Sequence, residues 1–152
     1  MIWRSSLSVT LLTSIVISSG CWRLPENFSS LPLKEKVAIY ENRLKHGGAR
    51  DYDAEELIAA HGYSAAESMV PYIAGKGGIS PFIAVNIAWD VQSRGCDLRG
   101  SAAAEAMQSL LVRGHSQPDE RIAAEAALRA INSMRHGAPA AMQLSRDVCR
   151  PK

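Results

Sequence analysis

The sequence predicts an all-α fold built from antiparallel helical hairpins, about six helices in all. Three observations carry this. No stretch sustains the apolar–polar alternation of a strand, and β-branched residues are scarce beyond the first twenty. Ala-rich segments dominate what remains. Their ends are punctuated, with capping patterns at the starts and cation–glycine pairs at the stops.

Residues 1–20 are set apart from that body. Arg4 is the one charge before Arg23, and an apolar run from Leu7 to Ile17 lies between them. This is the short positive start and h-region of a secretory signal. A membrane-spanning helix needs about 20 apolar residues, and this run is shorter and rich in Ser and Thr. Ser18-Ser19-Gly20-Cys21 follows. It resembles the lipobox of bacterial lipoproteins, with Ser18 standing where that family usually has Leu. The resemblance implies cleavage before Cys21 and acylation of its thiol and new amino terminus. Ordinary cleavage near Gly20 and an uncleaved anchor are the alternatives. Two or more acyl chains hold a protein stably on a bilayer. In the family an Asp after the cysteine often means inner-membrane retention, so Trp22 points to the outer membrane, facing the periplasm.

Removing residues 1–20 leaves 132, one domain of ordinary size. That remainder carries 16 Lys and Arg against 15 Asp and Glu, near neutrality. A nucleic-acid binder would show a clustered basic face. The chain has three cysteines. If Cys21 carries lipid, Cys96 and Cys149 remain as a pair in an oxidising compartment, where a disulfide is expected. The alternative is two free thiols.

A linker over 21–31 is expected to precede a helical domain over 32–136 and an irregular tail over 137–152. Helices are predicted near 33–46, 53–61, 64–75, 80–94, 101–113 and 118–135. Asp53-Ala54-Glu55-Glu56 and Ser64-Ala65-Ala66-Glu67 read as capping boxes. Ser80-Pro81 places a capping Ser before a Pro at the first helical position, and Ser116-Gln117-Pro118-Asp119 is similar. The stops are His46-Gly47, His61-Gly62, Lys76-Gly77, Arg94-Gly95, Arg113-Gly114 and His136-Gly137. A cation there meets the negative helix end and Gly takes the left-handed position. These stops account for His46, His61 and His136 without a metal.

An internal echo is also present. Ser64-Ala65-Ala66-Glu67-Ser68-Met69 matches Ala102-Ala103-Ala104-Glu105-Ala106-Met107, and Ile83-Ala84 and Ala88-Trp89 match Ile122-Ala123 and Ala127-Leu128. A period near 40 resembles HEAT-type repeats, which implies a right-handed stack of hairpins with the second helices lining a concave binding face. Chance similarity between Ala-rich helices is the alternative.

Chemistry-bearing motifs do not stand out. Ala74-Gly75-Lys76-Gly77-Gly78 departs from a P-loop, since Gly77 follows the Lys and a helix precedes it, so it reads as a hairpin turn. Glu55-Glu56 suits a helix start. No cofactor or metal set is implied, and an enzyme is not the expected reading.

The helix from Pro81 is apolar on most sides and should be the central one. Its polar stripe is Asn86, Asp90 and Arg94. In the echo, Glu125 and Arg129 fall beside it and Arg121 extends the second stripe. Together they form a candidate partner surface flanked by Trp89. A solvated face with i, i+4 ion pairs is the alternative. The expected function is a membrane-anchored, periplasmic protein-interaction adaptor or assembly factor. An immunity-type inhibitor of a periplasmic toxin or hydrolase is the alternative.

Overall fold

A computed structural model describes residues 23–137 and 143–151. The export segment and Cys21 lie outside the described residues. Within them are α1 (Leu33–Lys45), α2 (Tyr52–Ala59), α3 (Tyr63–Ile73), α4 (Pro81–Ser93), α5 (Ala102–Ser116) and α6 (Arg121–Met134), with two 3₁₀ turns at Phe28–Ser30 and Pro118–Glu120. The all-α expectation holds, with no strand among the described residues.

Helix starts follow short polar side chains. Ser80 Oγ accepts from Ile83 N–H at 3.4 Å and Ser101 Oγ from Ala104 N–H at 3.2 Å, each satisfying a donor the helix leaves open. Other starts differ from the sequence reading. α2 is capped by Asp51, whose carboxylate accepts from Ala54 N–H at 3.1 Å, so Asp53 lies inside the helix. α3 begins at Tyr63 after Gly62, with Ser64 inside, and no side chain caps it. Its acceptor comes from the far end of the chain, where Val148 carbonyl receives Tyr63 N–H at 2.8 Å. Gly62 is needed for that approach. Its φ is +63°, and a Cβ there would lie 2.3 Å from Val148 O.

Two stops also move. α3 ends at Ile73 with Gly75 in the left-handed region at φ +79°, ahead of Lys76-Gly77. α5 runs through Gly114 to Ser116, and a 3₁₀ turn precedes α6 in place of a Ser116 cap. Gly114 is a packing residue, since a Cβ there would sit 2.2 Å from the Ala124 methyl of α6.

Sequence neighbours fold back on one another, α3 on α4 and α5 on α6. The two hairpins then stack like on like, α3 against α5 and α4 against α6, and α2 extends the second row on the far side of α4. α1 joins α3 through Tyr72, whose hydroxyl donates to Glu41 at 2.9 Å. Glu41 also accepts from Gly78 N–H at 2.7 Å and pairs with Lys45 at 2.8 Å, which ties the Gly-rich turn to α1. Those bonds hold the Glu41 carboxyl below its usual range, Lys45 being the largest cause, while burial and Glu41 push the Tyr72 hydroxyl up to about 12. The expected linker is partly folded, because Phe28 is 2% exposed and joins the core.

α4 buries Ile83, Val85, Ile87, Ala88 and Val91. Each of the buried Ile and Val side chains contributes about 1.5–3 kcal/mol. It also buries Gln92, whose amide donates to Gly137 O at 3.1 Å and accepts from Leu98 N–H at 2.8 Å. Nearby, Cys96 and Cys149 are bonded, their Cα atoms 4.8 Å apart. The segment from Gln143 is strapped across the end of α4, where Gln143 and Leu144 N–H both donate to Arg94 O at 3.0 and 3.2 Å.

Lys36 on α1 is 4% exposed. Its ammonium donates to His61 Nε2 at 3.0 Å, which requires an imidazole neutral at that nitrogen. Burial, with Lys36 second, lowers the His61 pKa from 6.5, and burial lowers that of Lys36.

Two outcomes are expected. Cys96→Ser with Cys149→Ser should lower unfolding free energy by about 4 kcal/mol, the chain-entropy value for a loop of this length, measured by urea denaturation. Native His61 resists a proton that the unfolded chain accepts below its ordinary pKa of 6.5. Stability should therefore fall as pH drops from there towards the lowered native value. His61→Gln should flatten that part of the profile, read as thermal midpoints across the acid range.

Candidate interaction surface

Because α4 is covered on most sides, its exposed side chains are few, and they gather over α2. Asn86, Trp89, Asp90, Ser93 and Arg94 line an open depression of about 470 Å³ with Arg50, Tyr52, Glu55 and Glu56. Asn86, Asp90 and Arg94 thus share one side of α4, with α2 as their neighbour where the echo had placed the α6 stripe.

The floor of this site is a hub around Glu55. Glu55 is 6% exposed, and Arg50 clasps it with Nε at 2.7 Å and Nη2 at 2.6 Å. Such a two-pronged charged pair is among the stronger hydrogen-bonded contacts. Tyr40 hydroxyl donates to the same carboxylate at 2.7 Å from α1 and in turn accepts from Asp51 N–H at 3.3 Å. Burial and then this carboxylate raise the Tyr40 pKa far above its ordinary value. The Arg50 guanidinium lies 4.3 Å from the Tyr52 ring centre and 5.3 Å from that of Phe82, a cation–π arrangement that also links α2 to α4. Glu55 therefore belongs to the interior while still in the first turn of α2, and Glu56 lies just beyond that turn. Nothing in the sequence pattern separates these adjacent glutamates. The signal lay in Tyr40 and Arg50, on other segments.

The rim is a second ion-pair group. Arg94 Nε meets Asp90 at 2.8 Å and its Nη2 meets Glu56 at 3.0 Å. Asn86 is turned inward in part, donating to Phe82 O at 2.7 Å. Trp89 is partly buried and packs against the core while bordering both this depression and a smaller one with Ser133 and Gly137. It is a boundary residue more than a core one.

Arg121 and Glu125 line a different depression, of about 440 Å³, with Leu111, Gly114, Pro118 and Leu128. They pair with each other at 3.6 Å. Arg129 is exposed and lines neither. The ladder read from the echo thus divides into an α2–α4 face and an α5–α6 face.

Among the described residues, no group of three His, Cys, Asp or Glu side chains is placed to hold a metal ion, and no helix is long and apolar enough to cross a membrane. No protein family, curated protein or solved structure compared with the chain matches it.

Glu55→Ala should cost about 3–5 kcal/mol, since it leaves Arg50 and Tyr40 without their shared acceptor. Asp90→Ala leaves Arg94 paired to Glu56 and should cost less than about 1 kcal/mol. Urea denaturation of both variants checks the contrast.

Proposed function

We propose that the protein is a lipoprotein, anchored through Cys21 at the periplasmic face of the outer membrane, that acts as a protein-interaction adaptor or assembly factor. The observation that carries the reading is the α2–α4 face. It presents Tyr52 of α2 at 69% exposure and the edge of Trp89 on α4, the helix that buries most residues. Tyr, Trp and Arg are the residues that most often dominate binding energy. Glu55, Glu56 and Asp90 outnumber Arg50 and Arg94, so a partner offering a basic side chain suits this face. The cysteine pairing supports the address. With Cys96 and Cys149 bonded, Cys21 is the remaining one of the chain's three cysteines.

Metabolic labelling with an alkyne fatty acid tests the anchor. The native chain should label and sediment with membranes, and Cys21→Ala should do neither. Equal labelling of the two would overturn the anchor. A photo-crosslinking residue at position 52 in intact cells tests the surface. It should yield one discrete adduct, absent when the same residue sits at exposed Gln108 and weakened by Asp90→Lys. Identical adducts from both positions would sink the assignment. An adduct with a toxin or hydrolase whose activity falls on binding would assign the inhibitor role instead.

A further inference from the structure

A stack of hairpins has two ends, and a hairpin inside a stack is covered on both broad faces. α5 and α6 pack inward on α3 and α4, and the outer face of this last hairpin carries no further element among the described residues. Leu128, 47% exposed, stands on it. The same outer face holds the hollow lined by Gly114, Pro118 and Ala124. Gly114 deepens that hollow, because the helices meet closely where a Cβ would collide with Ala124.

We propose that this end of the stack is covered by a second copy of the same chain, α6 lying antiparallel to α6 across a twofold axis. Two features of one patch support a second copy over an unrelated partner. It offers both a ridge, Leu128, and a hollow, so it can fill itself when related by a twofold. Its charges are also self-complementary. Arg121 and Glu125 are 76% and 57% exposed and bond each other only at 3.6 Å. An axis passing between them, near Ala123, sets Arg121 against Glu125 of the partner subunit, and Glu125 against Arg121 of the partner subunit. The same axis brings Leu128 to the Pro118 end of the facing hollow, so one register satisfies charge and shape together. The α2–α4 face stays outside this contact, and the inference does not rest on the anchor or on the adaptor reading.

The test is the protein mass of the purified full chain, measured by light scattering over a range of concentrations, with detergent present throughout. The native chain should move towards twice its own mass as concentration rises. Glu125→Arg places Arg opposite Arg and should weaken self-association by about tenfold or more. The double change Arg121→Glu with Glu125→Arg restores opposite charges across the axis and should recover the dimer. Leu128→Glu should abolish it. These positions are exposed, so unchanged thermal midpoints will establish that each variant folds. A chain monomeric at every concentration overturns the proposal. So does a dimer indifferent to all three variants, or a photo-crosslinker at position 128 that captures a different protein and never a second copy.

Discussion

The fold is organised by the need to bury α4. Its aliphatic residues point in several directions, and a single partner helix could cover only one stripe. The chain meets this by setting α2, α3 and α6 around it. Small residues make this possible. α6 buries Ala123, Ala126, Ala127 and Ala130, so its backbone can approach closely without large side chains of its own. What α4 leaves exposed is then determined by exclusion, and that remainder is the Asn86, Trp89, Asp90 and Ser93 edge over α2.

Burying so much apolar helix leaves the ends and crossings to polar groups, and each is placed where separate segments of the chain meet. Glu55 joins α1, the segment before α2, and α2 through Tyr40 and Arg50. Gln92 joins α4 to the loop after it and to the chain leaving α6. Neither residue gains much net free energy over water, since each exchanges solvent hydrogen bonds for internal ones. Their weight lies in the penalty for any other arrangement, because a shifted helix would strand a buried carboxylate or amide. Such groups specify one packing among the many that Ala-rich helices would tolerate. The strap from Gln143 works in the same sense, since Cys149 fixes where Val148 can cap α3.

The helix count and order were legible because they depend on local signals, Ser80-Pro81 and Arg94-Gly95 being clear cases. The pairing of Cys96 with Cys149 was legible from parity. What escaped was set by distant residues. Tyr63 starts α3 because Val148 supplies an acceptor from the other end of the chain. Glu55 goes inside while Glu56 stays out because Arg50 and Tyr40 converge on one and not the other. The Gly114 pair was misread as a stop because a left-handed turn and a close helix crossing both favour the same residue. The division of the charge ladder has a related origin. Residues on α6 turn towards α4 or away from it according to how that helix is rotated, and a helix with Ala on most of its buried side encodes rotation weakly.

The pairing of charges on the α2–α4 face constrains how it can bind. Arg94 already has two carboxylates and Arg50 is clasped by a buried one, so a partner's charges must compete with bonds in place. An incoming basic group at Asp90 or Glu56 gains the difference between two surface ion pairs, and that difference is small. The bulk of any affinity must then come from covering Tyr52 and the open edge of Trp89, while the carboxylates set orientation and reject acidic partners. The rigidity of the hub favours this division. Arg50, fixed by Glu55 and lying over the Tyr52 ring, restrains that ring, so a group covering it would cost less side-chain freedom.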